Sequence, residues 1–465
     1  MAALDRALDS RWTRRRLGRL AGRTAAGFGA AAALAAGGAA CRAQPAGPAA
    51  GGTLQPATVH YLHWDRPRDE RYQQVWQEFS QQHQGLKVEL TTVTGTYTEK
   101  LLSMLVAGDA PDIFALDRSQ LEPFLQQGGI ADLTPYAKRD GKARWGDLLP
   151  TLQAEYTIDG KIVEFPNGPV NIGIFYNKDE FARLGLKPPG EGWTWDDLAQ
   201  TARQLTQSDG NATAQWGFGY VNAFYEPWVW GNGGEVYDRP FEMTRCLLDQ
   251  PKSAAGVQWY ADLINRHRVA PRPSEYEGVN VWEMFYKAPA RFPMVMSGSW
   301  RVPSIAPNAQ FAWDVAPLPR GPVGKDLNIT WSGGTCINKA SKAIEQAWAL
   351  TVFMWGPERE REEVMRTGAN LRANLPNYNT TIKDAEVDKA LTGLARAGTI
   401  PLGYGKVFFH ALLSSKQRPV PPARAGDAVR ALNAALTEVY EGKRSAAEAL
   451  QATVPGVNAA LAGAS

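Results

Sequence analysis

Three short runs, Ala57-Thr-Val-His-Tyr-Leu-His-Trp64, Leu86-Lys-Val-Glu-Leu-Thr-Thr-Val93 and Asp112-Ile-Phe-Ala-Leu-Asp117, decide the fold class through what lies between them. Leu86, Val88 and Leu90 alternate with the two-residue period of a strand, and the other two runs are short and apolar-rich. Between the first pair, Glu70–His83 places Tyr72, Val75, Trp76 and Phe79 at helical spacing, and Tyr97–Ala107 is a second helical stretch. Strand, helix, strand, helix, strand within about sixty residues predicts a parallel sheet covered by helices, an α/β architecture. The alternation continues downstream. Thr194 and Asp197 flank a helix start ahead of Leu198, Ala202 and Leu205; Ser253 reads as the cap of a helix carrying Val257, Tyr260, Ala261 and Ile264; Ile344, Ala347, Trp348, Thr351 and Trp355 share one helical face.

Outward from this body, the chain of 465 residues has a formal net charge of +3, but the charge is unevenly placed. Residues 1–40 hold seven arginines and two acids, a net +5, which leaves −2 for the rest and no basic surface for nucleic acid. Thr13-Arg14-Arg15-Arg16-Leu17-Gly18-Arg19 precedes an uncharged Ala/Gly-rich stretch, Thr24–Ala40, ending Gly38-Ala39-Ala40-Cys41. A basic segment, a weakly apolar segment and small residues make an export signal, and the arginine pair resembles a twin-arginine signal. Small residues directly before Cys41 resemble a lipoprotein cleavage site, with Cys41 acylated, although Gly38 stands where leucine is usual; a plain cleaved signal is the alternative. Residues 41–56 are Pro-, Gly- and Ala-rich without period and read as a flexible tether. Cys246 and Cys336 read as two buried free thiols, with pairing as the alternative.

No enzyme constellation stands out. His60 and His63, three apart on a strand, point to opposite faces and cannot jointly hold a metal; Gly217-Phe218-Gly219 lacks the third glycine of a dinucleotide loop. No cofactor, metal or catalytic residue is expected. Tryptophan is abundant instead, with sixteen residues, several beside turn residues: Trp64-Asp65-Arg66-Pro67, Trp228-Val-Trp230-Gly-Asn232-Gly-Gly, Gly298-Ser-Trp300-Arg301 and Trp331-Ser-Gly-Gly. Trp76, Trp259, Trp348 and Trp355 fall within helices and are assigned to the core. An exposed indole offers an apolar face with a polar rim, matching the C–H face and hydroxyl belt of a sugar ring. Half-buried packing is the alternative for each tryptophan taken singly.

Tyr97-Thr-Glu99-Lys100 through Ala107-Gly108-Asp109-Ala-Pro111-Asp112-Ile113 resembles the first-lobe signature of the maltose-binding-like, family 1 extracellular solute-binding proteins of ABC importers. Further segments follow in that family's order: Phe124 to Asp132, Asp159-Gly160-Lys161 to Lys178, Gly185 to Trp195, Gly233-Gly234, Met294 to Trp300, and Ala316 to Gly321. The resemblance implies a type II binding-protein fold of two α/β lobes that close on ligand about two or three crossing segments. Its layout gives lobe one as 57–168 and 333–383 and lobe two as 169–332 and 384–465. The hinge then falls near Asn167–Ile172, Asn328–Gly333 and Ile382–Asp388. It implies ligand contacts at Asp117 and Arg118, which end the third strand, and stacking on Trp300. Trp64, Asp65, Arg66, Tyr97, Trp228, Trp230, Asn232 and Trp331 are further candidates by position. Asp117 as a turn-capping acid and Arg118 as a surface ion-pair partner are the alternatives. Val170 stands where maltose-binding members have a sugar-binding acid, so maltose itself is not implied.

The expected protein is thus a monomeric, extracytoplasmic sugar-binding component tethered to the membrane only by its lipid, with a carbohydrate ligand and a transmembrane ABC permease as partners. Two other readings stay open: a lipid-anchored glycoside hydrolase, and a binder of the same fold for a non-sugar such as a glycerophosphodiester, polyamine or peptide.

Overall fold

The computed structural model describes residues 54–463 apart from 65–68, 94, 209–212, 221–223, 278–280, 282, 287–291 and 326. The export signal, Cys41 and most of the tether, and also Asp65 and Arg66, lie outside the described residues. The first five elements are β1 (Ala57–His63), α1 (Asp69–Gln82), β2 (Leu86–Thr92), α2 (Tyr97–Ala107) and β3 (Ile113–Asp117). β1 pairs in parallel with both β2 and β3, as the alternation predicts. Helices cover both faces. Val59 and Tyr61 pack with Tyr72, Trp76, Trp348 and Trp355 on one side, and Leu62 packs with Tyr97, Leu101 and Phe124 on the other. Side chains of opposite parity thus feed two separate cores, the strand period acting directly on packing.

After α3 (Pro150–Tyr156) the chain enters β4 (Phe165–Asn177), a thirteen-residue strand buried along its whole length. Further elements are α4 (Trp195–Leu205), α5 (Glu226–Gly231), α6 (Pro251–Asn265), β5 (Met294–Gly298), β6 (Trp313–Ala316) and β7 (Ile329–Ile337). They are followed by α7 (Ile344–Trp355), α8 (Pro357–Thr367), α9 (Ala385–Arg396), β8 (Lys416–Gln417), α10 (Gly426–Tyr440) and α11 (Ala446–Leu461). The eight strands form one sheet in the order β6-β4-β7-β3-β1-β2, with β5 also on β4 and β8 on β7. The sheet is mixed rather than wholly parallel because β4 and β7 run antiparallel to each other and exchange partners along their length. Residues 333–337 of β7 pair with β3, whereas its residues 329–330 pair with β8; residues 172–176 of β4 pair with β5. The register between β4 and β7 shifts between Ser332 and Gly334. Two lobes thus share two crossing strands.

The second lobe has its own core, in which α4, α5, α6, α10 and α11 bury Trp195, Trp228, Tyr260, Leu436 and Leu450. Thr194 and Asp197 stand at the expected start of α4 and close a reciprocal capping box there. Ser253 departs from expectation. α6 begins two residues earlier with Pro251 in its first turn, and the Ser253 hydroxyl donates to the Glu235 carbonyl (2.8 Å) instead of capping the helix. A further core is not divided between lobes, since Leu152 and Tyr156 of α3, Val364 of α8 and Ile382 pack with Phe175, Val295 and Phe408. Cys246 and Cys336 are both buried free thiols.

Candidate ligand-binding cleft

At the end of β3 the chain turns through a short 3-10 segment, Arg118–Gln120, in which the Asp117 N–H donates to Gln120 Oε1 (2.9 Å) and Gln120 Nε2 donates to Thr98 Oγ1 (2.9 Å). These bonds fix Asp117 at the strand edge, facing the crossing strand β7. A Cβ added to Gly333 would stand 2.7 Å from Arg372 Nη1, 3.0 Å from Asp117 Oδ1 and 3.2 Å from Asn167 Oδ1. Three polar side chains therefore converge where only glycine leaves room. Arg372 Nη1 donates to Asn167 Oδ1 (2.9 Å), and its guanidinium lies 4.5 Å from the ring centre of Trp64. Trp64 in turn meets Tyr97 edge-on at 5.0 Å.

An aromatic group lies along the same strand at Trp331. Trp300 follows β5 and folds back over Gly298, whose hypothetical Cβ would collide with the indole. Trp300 and Trp331 meet at 5.4 Å and 66°, and Phe224 lies 5.6 Å from Trp331 and 6.2 Å from Trp300. Trp300 and Trp331 are half-buried, leaving indole surface uncovered. Arg418 lies 5.1 Å from the Trp331 ring and 5.7 Å from Phe224, and its Nε donates to the buried Glu226 (3.2 Å). The Arg118 guanidinium lies 5.4 Å from the ring centre of Phe241.

Burial raises the Asp117 carboxyl, while Arg372 from one side and Arg418 from the other oppose that rise and favour its charged form. Beside the crossing strand lie two carboxyls, Glu155 on α3 and Glu164 just before β4, both completely enclosed. Burial pushes Glu155 up to about 8 despite the Ser332 backbone donor and Arg118, and it raises Glu164 well above the ordinary range. The Cys336 thiol donates to Glu164 Oε1 at 3.2 Å. Nearby, Gly168 takes φ = +116° in β4, and the segment 370–375 grips it. Asn370 Nδ2 donates to Asn167 O (3.1 Å), Asn374 Nδ2 to Gly168 O (3.0 Å) and Leu375 N–H to Pro169 O (2.9 Å).

The structure brings Trp64, Asp117, Arg118, Trp300 and Trp331 to this region but separates other candidates from it. Tyr97 is buried, and its phenol donates to Ala115 O (2.8 Å) and accepts from the Ala115 N–H (3.1 Å), a tie on β3 with no free hydroxyl. Trp228 is 1% exposed, stacked between Trp259 (5.2 Å) and Tyr260 (4.9 Å) in the second core. Trp230 is buried in the same core, with Lys416 Nζ 4.6 Å from its ring centre, and Asn232 Nδ2 donates to Lys252 O (2.8 Å). Four contributors went unread in the sequence: Asn167, Phe224, Arg372 and Arg418. Only Asn167 had a local signal, its place between Pro166 and Gly168. Among the described residues no group of three or more His, Cys, Asp and Glu could hold a metal, and no helix is long and apolar enough to cross a membrane.

Comparison with known proteins fits this geometry. The profile of the bacterial extracellular solute-binding proteins matches residues 64–359. A binding protein of Brucella abortus (strain 2308) is 23% identical over 294 residues, 61% of this chain and 68% of its own length. The diacetylchitobiose-binding protein of Streptomyces coelicolor is 24% identical over 312 residues, 65% of this chain and 63% of its own. A substrate-binding protein of Listeria monocytogenes, solved with cycloalternan, superposes with a TM-score of 0.73 at 21% identity, covering 87% of this chain and 98% of the other. The fold is therefore that of the type II, two-lobed binding proteins, and the chain belongs to the bacterial extracellular solute-binding protein family.

Proposed function

We propose that this protein binds a sugar or oligosaccharide between its lobes and delivers it to an ABC permease. The observation that carries the reading is the meeting of two chemistries along β7: the Phe224–Trp300–Trp331 group at Trp331, and Asp117, Arg372 and Trp64 around Gly333. Indole faces match the apolar faces of pyranose rings, and Asp and Arg supply charge-assisted hydrogen bonds to hydroxyls. The diacetylchitobiose-binding relative and the neighbour solved with cycloalternan support a carbohydrate ligand.

In this reading lobe one is residues 57–168 and 333–383, and lobe two 169–332 and 384–465. The hinge lies at Asn167–Ile172, Asn328–Gly333 and Ile382–Asp388. The partner exchange of β4 and β7 and the positive φ of Gly168 support the first two crossings. Ligand favours closure by its differential affinity for the state in which both walls contribute contacts. We read the chain as a binder that returns its ligand unaltered. It is exported by the twin-arginine-like signal, anchored through acylated Cys41 on the tether of residues 41–56, and works as a monomer outside the cytoplasmic membrane. Asp65 and Arg66 remain proposed polar contacts. The test is tryptophan fluorescence and thermal shift of the purified protein against mono- and oligosaccharides, with glycerophosphocholine as a non-sugar arm. A saturable response to a sugar, recovered chemically unchanged, is expected. A response to glycerophosphocholine alone, or hydrolysis of the sugar, overturns the reading.

A further inference from the structure

The segment between α8 and α9 holds β4 through its asparagines. The carbonyls of four consecutive residues accept from it: Pro166 O from Asn377 Nδ2 (3.3 Å), Asn167 O from Asn370 Nδ2 (3.1 Å), Gly168 O from Asn374 Nδ2 (3.0 Å) and Pro169 O from the Leu375 N–H (2.9 Å). The irregularity in the register of β4 on β7 falls at the same place. Pro169 is paired with Ser332 and Pro166 with Gly334, so Asn167 and Gly168 together stand opposite Gly333. Two residues against one make a bulge, which disrupts the ladder, and side-chain amides meet carbonyls there.

Asn370 has a second set of partners. It is 4% exposed, and its amide is fully engaged: Nδ2 donates also to Leu375 O (3.2 Å), while Oδ1 accepts from the N–H groups of Arg372 (3.0 Å) and Asn374 (3.1 Å). The backbone closes the same loop. Asn370 N–H donates to Asn374 O (2.9 Å) and Ala373 N–H to Asn370 O (2.8 Å), with Ala373 at φ = +61°, a region that few non-glycine residues adopt. An asparagine oxygen that takes the N–H two residues on fixes a tight turn, and here that second residue is Arg372. Within the turn Leu371 joins the buried core that holds Trp348 and Trp355. Arg372 goes the other way, onto Asn167 Oδ1 and the face of Trp64. Asn167 is thus held by its side chain from Arg372 and by its carbonyl from Asn370.

We propose that Asn370 is a positioning residue of the ligand site: it touches no ligand, and it sets the turn from which Arg372 is aimed beside Asp117. The proposal rests on the reading of this cleft as the binding site and not on the ligand being a sugar. Its two sets of bonds have separate work. The amide N–H groups on Asn167 O and Leu375 O serve the fold, whereas the oxygen on the Arg372 N–H serves the site. Without that oxygen the guanidinium is free to leave Asn167 and Trp64, and a binding contact is lost although Arg372 itself is intact.

The test is titration calorimetry of the purified full chain with maltose, cellobiose, the β-1,4 dimer of N-acetylglucosamine and glycerophosphocholine. It is continued with the tightest-binding of the four, beside a urea midpoint for every variant. Arg372→Ala is expected to bind at least about tenfold weaker, the loss of one charge-assisted bond. Asn370→Ala is expected to match it, and the double variant to bind no weaker than Arg372→Ala alone, because the first residue acts through the second. Asn370→Ser loses the same grip on Asn167 O, but its hydroxyl can still accept from the Arg372 N–H. It is expected to share the lowered midpoint of the alanine variant and yet to bind within about threefold of the parent. If the alanine variant is unfolded in buffer, all variants are compared in about 1 M trimethylamine N-oxide, which favours the compact state. Equal losses of affinity in the serine and alanine variants, a further loss in the double variant, or failure of either Asn370 variant to fold even in the osmolyte makes Asn370 a residue of the fold alone and overturns the proposal. Arg372→Ala binding as the parent does overturns it too, and leaves the carbohydrate reading standing on the aromatic group. A response to glycerophosphocholine alone overturns the carbohydrate reading, and the same variants then decide the proposal with that ligand. No binding of any of the four overturns both.

Discussion

Replacing Trp300 by alanine should weaken sugar binding by about ten- to thirtyfold while the protein still folds. The indole is half-buried, held over Gly298 and set edge-on to Trp331 at 5.4 Å, so part of its surface is packing and part is available to a ligand. A ring covering about 60–80 Å² of that surface, at about 25 cal/mol per Å², contributes about 1.5–2 kcal/mol. At about 1.4 kcal/mol per decade this sets the expected factor. The same truncation removes the ring contacts with Trp331 and Phe224, worth about 0.5–1.5 kcal/mol each, so a fall of several degrees in melting temperature is also expected. Trp300→Phe keeps an apolar face and should recover most of the affinity. Titration calorimetry gives the affinity, and circular dichroism with a thermal melt establishes that the variant is folded. A folded Trp300→Ala protein within twofold of the parent would place the ligand elsewhere and refute the reasoning.

Other perturbations address the crossing strands and the buried acids. Gly168→Ala adds a Cβ at φ = +116°, 2.1 Å from Asn370 Nδ2 and 2.6 Å from Asn374 Cβ, so it should lower stability by about 2 kcal/mol or more, read from a urea midpoint. An unchanged midpoint would mean that segment 370–375 does not grip the strand. Glu155 holds its proton up to about pH 8 when folded, whereas the unfolded carboxyl releases it near its ordinary value of 4.5. The folded state therefore binds more protons between those values, and stability falls as pH rises through that window before levelling off above about 8. Glu155→Gln should remove about 3–4 kcal/mol of that decline between pH 5 and pH 8, seen by comparing denaturation midpoints at the two values; parallel declines in the two proteins would contradict it. Cys246 and Cys336 should be unreactive to Ellman's reagent in the native protein and titrate as two thiols on unfolding, and a native disulfide would contradict the buried free thiols.

How far the sequence could be read depended on how local the governing physics was. The β1–α1–β2–α2–β3 unit was legible to within a residue or so at each end because strand and helix periods act over neighbouring residues. Asp117 was a candidate through the family resemblance, and Trp300 through that resemblance and its place among turn residues. Trp228 and Trp230 shared the same turn-rich context but belong to α5, whose six residues are too few to display a helical stripe, and the fold takes both into the core. Phe224, Arg372 and Arg418 carry no period and no motif. They come from segments far along the chain from the tryptophans they meet, Arg372 against Trp64 and Phe224 and Arg418 against Trp331. The mixed pairing of the sheet was hidden for the same reason, since strand direction depends on partners far along the chain.

The proposed function places a carbohydrate between the Trp300–Trp331 group and Asp117 with Arg372. Its most direct test is a crystal structure of the protein grown with the tightest-binding oligosaccharide. Sugar density in contact with Trp300 or Trp331 on one side and with Asp117 or Arg372 on the other is the predicted result. Density lying outside the cleft, or a cleft that stays empty at saturating ligand, would contradict the account.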